Sequence, residues 1–249
     1  MFLVRKQINW EERTIIDRLI DIIYPKTCPV CGRVRPYGKK DVCESCVKGL
    51  KWVESPVCMK CGKTLEDEEA EFCADCIRIP KSFDRNYPVF DYEGEIKDSL
   101  YAFKYKNQRD HADFYAGCIV KRYGSQLKEK GFDGIVPVPV HKKKKKSRGY
   151  NQAELIALSL GELLDITVYP DYLVRTEATD PQKELDDKER MKNLKNAFNI
   201  GQNDVKLEKI LLVDDIYTSG ATMDACTRVL LASGVISISC VSVAIGRGY

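Results

Sequence analysis

Glu208-Lys-Ile-Leu-Leu-Val-Asp-Asp-Ile-Tyr-Thr-Ser-Gly-Ala-Thr222 is the stretch on which the reading of this chain turns. Ile210 to Val213 is a short apolar, partly β-branched run bounded by charge, which suits a strand covered on both faces. Asp214 and Asp215 then stand at its carboxyl end. Small and hydroxyl-bearing residues follow, Thr218 to Thr222, and from Met223 to Ala232 the apolar positions Cys226, Val229 and Leu230 recur at helical spacing. The order is strand, acidic pair, tight turn, helix. In an open parallel sheet such a turn lies in the crevice beyond the strand ends, where ligands bind. Its amides and hydroxyls at a helix N-terminus suit a phosphate. The neighbouring carboxylates would repel phosphate, but they accept hydrogen bonds from hydroxyls or hold a divalent cation. A ligand with a phosphate and a diol satisfies both halves; the plain alternative is a βα turn whose Thr or Ser caps a helix.

The run of aliphatics, two acids, two variable residues and Thr-Ser-Gly-x-Thr resembles the phosphoribosyl pyrophosphate (PRPP) signature of the type I phosphoribosyltransferases. The resemblance implies a Rossmann-like α/β domain with a mainly parallel sheet. It implies that Asp214 and Asp215 hold the ribose 2′ and 3′ hydroxyls and lead the catalytic set. By the same resemblance Thr218, Ser219, Gly220, Ala221 and Thr222 cradle the 5′-phosphate, and Mg²⁺ accompanies PRPP.

At 249 residues the chain has room for one large domain and a small one. Its 44 % hydrophobic and 31 % charged residues describe a globular protein with material for a core. A net charge of +3 does not by itself demand a nucleic-acid partner. No run approaches the length of a membrane span, and Met1 to Asn9, quickly followed by Glu11 and Glu12, does not read as a secretory signal; the expected compartment is the cytoplasm.

Eight of the eleven cysteines form four pairs, Cys28/Cys31, Cys43/Cys46, Cys58/Cys61 and Cys73/Cys76, each with two residues inside it and eleven to the next pair. Two such pairs supply the four thiolates of a closed structural zinc site, so two zinc ions are expected. Disulfides would need an oxidising compartment, four redox-active pairs are excessive, and common iron–sulfur runs are spaced differently. Spacing leaves open which pairs share a metal. Gly32 and Gly62 follow a pair directly, where the chain must turn tightly. A cysteine-rich module of this size buries little core and depends on its metals to fold. We place it, with an amphipathic helix between Ile8 and Tyr24, in residues 1–80, and the α/β domain in residues 81–249. Cys118, Cys226 and Cys240 lie in apolar patterns and read as core.

In the middle of the chain, a strand from Tyr87 to Tyr92 precedes a helical pattern through Ile96, Leu100 and Phe103, and a second amphipathic helix runs from about Asp110 to Tyr123. The aromatics among lysines at Lys104-Tyr105-Lys106 suit either base stacking or, more commonly, one buried and one wet face. Ile135-Val-Pro-Val-Pro139 reads as a strand ended by its prolines. The basic loop Lys142, Lys143, Lys144, Lys145, Lys146 and Arg148 follows, ahead of a helix from Gln152 to Leu164. At a strand end it suits a polyanion, either pyrophosphate or a DNA backbone. His111 and His141 have no partner spacing and receive no role.

Val-Pro-Val-Pro, the basic loop, Arg148-Gly-Tyr-Asn-Gln-Ala-Glu154 and the cysteine-rich head together resemble the competence protein F (ComF) family, with its double zinc ribbon; Tyr150 stands where that family has Phe. The family pattern continues in Arg175, Thr179, Gln182, Arg190, Asn193, Ala197 and Phe198. By resemblance this segment, with Arg175, Gln182 and Arg190, is the flexible loop of type I enzymes. The resemblance implies PRPP binding with Mg²⁺, a role in natural competence, and single-stranded DNA and competence proteins as partners. It leaves open whether the protein transfers the pentosyl group or only senses PRPP, and it names no acceptor.

Overall fold

The structure, a computed structural model, describes residues 27–35, 42–176, 197–201 and 205–246. The expected Ile8–Tyr24 helix and Thr179, Gln182, Arg190 and Asn193 of the expected loop lie outside the described residues. The chain divides into two compact units, Met1–Gly49 and Leu50–Tyr249, whereas the cysteine pattern suggested a division near residue 80.

In the first unit, a β-bridge between Thr27 and Val34 closes a knuckle in which the amide of Gly32 donates to Cys28 O at 2.8 Å, and α1 (Glu44–Gly49) follows Cys43. The second unit opens on the same arrangement. Val57 bridges Thr64, the Gly62 amide donates to Cys58 O at 2.9 Å, and α2 (Ala74–Arg78) follows Cys73. Gly32 and Gly62 have φ of 69° and 78°, the left-handed conformation that lets the chain double back behind a metal-binding pair.

The rest of the second unit is an α/β layer structure with a parallel four-stranded sheet. In chain order its elements are β1 (Asn86–Asp91), α3 (Gly94–Tyr105), α4 (His111–Glu129), β2 (Gly134–Pro137), α5 (Lys142–Arg148) and α6 (Gln152–Leu164). There follow β3 (Leu173–Arg175), β4 (Phe198–Ile200), β5 (Lys209–Tyr217), α7 (Ala221–Ala232) and β6 (Ser237–Ile245). The sheet order is β1-β6-β5-β2, and β3 and β4 form a separate antiparallel pair. The apolar runs of β5 and β6 are buried throughout, as expected for strands covered on both faces, and α4 packs on α6; Ile119, Ile156 and Leu160 of these helices are fully buried. Burying each such side chain is worth about 1.5–3 kcal/mol. Beside β2, Val168 forms one isolated parallel bridge with Ile135.

Two features differ from the sequence reading. The acidic pair lies inside β5, because that strand keeps its register with β6 as far as Tyr217 opposite Ile245. The basic stretch 142–148 is helix α5, capped by His141, whose Nδ1 accepts from the Lys143 amide at 3.2 Å. Among the described residues no helix is long and apolar enough to cross a membrane.

Candidate functional site

β2 ends at Pro137, paired with Val213, so from Asp214 onward one side of β5 has no strand beside it. The acidic pair therefore emerges at the carboxyl edge of the sheet. Successive strand residues point to opposite faces. Asp215, buried, meets Lys104 from the last turn of α3, with Nζ 2.8 Å from Oδ2. Asp214, half-buried, lies within the electrostatic reach of Arg175 and Cys226. Its Oδ1 accepts from the Asp215 amide at 2.8 Å. Burial, with the Asp215 charge adding to it, pushes the Asp214 carboxyl up to about 8, against the opposing pull of Lys104. Burial alone would lower the Lys104 ammonium, but Asp215, with Asp214 behind it, raises it.

After Tyr217 the chain turns through Thr218 and Ser219 into α7, with Gly220 as the N-cap residue. Gly220 has φ 75°, and a Cβ there would collide with the Tyr217 hydroxyl, so the turn requires glycine on both counts. Thr218 is exposed, and Ser219 and Thr222 are half-buried. Gly220 and Ala221 carry the buried backbone into the first turn of α7. The five expected phosphate-cradling residues are thus together at a helix N-terminus, beside the acidic pair.

The basic helix is pinned to the same region by the motif that follows it. Arg148 donates to Gln152 Oε1 at 3.0 Å and to Tyr105 Oη at 3.1 Å, with its guanidinium 5.0 Å from the Tyr105 ring centroid. Tyr150 donates to Phe103 O, Asn151 caps α6 and donates to Val138 O at 3.0 Å, and Glu154 pairs with Lys145 at 2.9 Å. Gln152 and Glu154 thus hold α5 through Arg148 and Lys145, while Tyr150 and Asn151 anchor the chain that follows it to Phe103 and Val138. Lys142, Lys143 and Lys146 remain exposed. The Arg148 charge is felt at Lys104, so the basic helix and the acidic pair belong to one electrostatic neighbourhood. Arg175 stacks on Phe198 at 5.3 Å.

Sequence reasoning missed Lys104. The buried stripe of α3 runs through Ile96, Leu100 and Phe103, and Lys104 stands four residues after Leu100, on the edge of that stripe. A charge on an apolar helical face needs a partner. That was the available signal, and its partner is Asp215.

The cysteine pairs are resolved as neighbours: Cys28, Cys31, Cys43 and Cys46 form one group and Cys58, Cys61, Cys73 and Cys76 the other. Within each, the Sγ atoms lie within 4.8 Å of one another, with Cys31–Cys43 at 3.9 Å and Cys61–Cys73 at 3.6 Å. Tetrahedral zinc with Zn–S near 2.3 Å sets sulfurs about 3.8 Å apart, so both groups fit the ion. There is no disulfide among the described residues. The second group is buried and shares a hydrophobic cluster with Phe83, Tyr217, Ala221 and Met223, so it lies beneath the β5–α7 turn. Asn86 ties it further, donating to Cys61 O at 2.9 Å and Ser242 Oγ at 3.2 Å.

A parallel α/β sheet with an acidic pair at its carboxyl edge, in a chain that also carries two four-cysteine zinc sites, defines a zinc-ribbon protein with a nucleotide-fold-like domain. The double zinc ribbon domain family matches residues 19–77. Competence protein F of Haemophilus influenzae (strain ATCC 51907 / DSM 11121 / KW20 / Rd) is 31 % identical over 85 % of this chain and 93 % of its own length. Competence protein ComFC of Bacillus subtilis (strain 168) is 29 % identical over 83 % and 72 %. DNA utilization protein YhgH of Escherichia coli (strain K12) is 26 % identical over 66 % and 73 %. The chain belongs to the competence protein F (ComF) family. Its likeness to the purine phosphoribosyltransferase of Pyrococcus horikoshii Ot3 is slight: TM-score 0.32 and 19 % identity, covering 57 % of this chain and 85 % of the other.

Proposed function

We propose that the β5–α7 turn binds PRPP with Mg²⁺ and that the protein is a phosphoribosyltransferase acting in the cytoplasm in competence and DNA uptake. The observation that carries this reading is the pair of carboxylates emerging past the end of β2, one turn from a helix N-terminus lined by Thr218, Ser219 and Thr222. Asp214 and Asp215 receive the ribose hydroxyls, as acceptors that strengthen their hold when positive charge develops on the sugar ring. The amides and hydroxyls of residues 218–222 take the 5′-phosphate. Arg148 and the exposed lysines of α5 face the departing pyrophosphate. The oxygen donors suit Mg²⁺ carried in with the phosphates, because the protein offers it one or two carboxylates at most; the bound ion supplies charge neutralisation for the leaving group. The competence role rests on the relatives, whose names refer to competence and DNA utilization.

Calorimetric titration of the zinc-loaded full chain with PRPP tests the reading. Saturable binding that requires Mg²⁺ is expected; no saturable heat with Mg²⁺ present would overturn it. Pyrophosphate release with a panel of bases and amines then separates transfer from sensing.

A second reading, a non-catalytic PRPP-sensing module that binds single-stranded DNA, is favoured by one surface. Tyr101 and Tyr105 are each 58 % exposed with ring centroids 4.9 Å apart, beside Arg148 and the lysines of α5. Exposed rings among cations suit unpaired bases. Neutralising Lys142, Lys143 and Lys146 together is expected to weaken binding of a single-stranded oligonucleotide and to flatten the salt dependence by about two units of slope, at about 0.7 per phosphate contact. An unchanged slope would remove α5 from the interface.

A further inference from the structure

The acidic pair already has a cation. Lys104 comes from α3, outside the motif that supplies the carboxylates, yet its Nζ lies 2.8 Å from Asp215 Oδ2 and both side chains are largely shielded from solvent. The next residue, Tyr105, holds Arg148. The last turn of α3 is therefore clamped between the acidic pair and the basic helix, and Lys104 is not at liberty to swing into solvent. A shielded carboxylate at a strand end, such as that of Asp215, would otherwise offer oxygen donors to a bare divalent ion. An ammonium in hydrogen-bond contact with one of them occupies a donor position and repels a second cation.

We propose that Lys104 is a built-in counter-ion of the Asp214–Asp215 pair: a positioning residue that holds Asp215 for a sugar hydroxyl and excludes free divalent cations. The site thereby accepts such a cation only when a phosphorylated sugar brings it. The inference rests on the reading of the pair as sugar-binding carboxylates. It explains why an acidic site serving a metal-dependent ligand carries a lysine at its centre. With Lys104 in place Asp215 keeps its orientation without metal, and the selectivity falls on the ligand's anionic groups.

The test uses Mn²⁺ as the probe, followed by its electron paramagnetic resonance signal on the zinc-loaded full chain without PRPP. The wild type is expected to show no Mn²⁺ site that depends on Asp215, so that its titration matches that of Asp215→Asn. Lys104→Gln is expected to gain one such site, at least tenfold tighter than any in the wild type, and the Lys104→Gln/Asp215→Asn double variant is expected to lose it. Lys104→Arg, which keeps the positive charge, is expected to behave as the wild type. A melting curve for each variant establishes that it is folded, and Lys104→Met serves if Lys104→Gln is not. An Asp215-dependent Mn²⁺ site in the wild type, or a folded Lys104→Gln or Lys104→Met chain that gains none, would overturn the proposal. Neither outcome involves PRPP, so failure here is distinguishable from failure of the PRPP titration.

Discussion

Replacing Cys61 by serine is expected to unfold the Leu50–Tyr249 unit at ordinary temperature or to lower its melting point by more than about 10 °C, whereas Cys31→Ser leaves that transition within a few degrees of the wild type. The two residues hold equivalent places in their knuckles but sit in different surroundings. Cys31 is exposed and belongs to the Met1–Gly49 unit. Cys61 is 1 % exposed and shares its hydrophobic cluster with Tyr217 and Met223, at the end of β5 and the start of α7. A structural zinc contributes about 10–16 kcal/mol in small zinc modules at neutral pH, against a net stability of about 5–15 kcal/mol for a whole domain. Losing even part of that from inside the core exceeds what the sheet can absorb. Losing it from the first knuckle costs only the 1–49 unit. Each variant is expected to retain about one zinc of two, measured by a chromogenic chelator after denaturation; scanning calorimetry then reads the transition. A Cys61→Ser chain that melts with the wild type would show that the second ribbon is not part of the core.

That asymmetry marks the limit of the sequence reading. Spacing identifies eight thiolates and their metal, because tetrahedral ligation needs that spacing wherever the module sits. It does not show that Cys58 to Cys76 pack under the β5–α7 turn, because that packing comes from long-range partners such as Phe83 and Asn86. The motif at 208–222 was legible as strand, acids, turn and helix, since each step has its own local chemistry. The extension of β5 through the acids was not: the apolar run is broken at Asp214 and Asp215, and pairing continues across the break because β6 remains in register to Ile245. The lysine run reads as a loop because like charges repel. It folds as α5 because His141 caps one end, and Lys145 and Arg148 find Glu154, Gln152 and Tyr105. Lys104 was hidden for a similar reason. Its position on the stripe of α3 signals a partner, but only the fold brings Asp215 to it.

Asp214→Asn and Asp215→Asn are expected to lose PRPP binding alike, by about a hundredfold or more, while changing stability in opposite directions. The loss corresponds to one or two hydrogen bonds to a charged acceptor at about 1.5–3 kcal/mol each, read above pH 8, where Asp214 is also ionised. For stability, burial and the Asp215 charge raise Asp214 to about 8, so in the folded state it holds a proton that the unfolded chain releases near pH 4. With the folded value above the unfolded one, the native state loses stability as pH rises from about 4 to about 8. The deficit is complete above pH 8 and absent below pH 4. Asp214→Asn removes the group that titrates and is expected to raise stability by about 1–2 kcal/mol at pH 8, with the gain vanishing towards pH 4. Asp215→Asn does the reverse, because it leaves the Lys104 ammonium shielded from water and without its carboxylate. The expected cost is about 3 kcal/mol, the lower end for breaking a buried pair, since both side chains keep some exposure. Thermal melts at pH 5 and pH 8 without PRPP or Mg²⁺ separate the two. If Asp214→Asn melts below the wild type at pH 8, the strain assigned to that carboxylate is absent. If Asp215→Asn melts with the wild type, Lys104 is not bound to it as the structure has it.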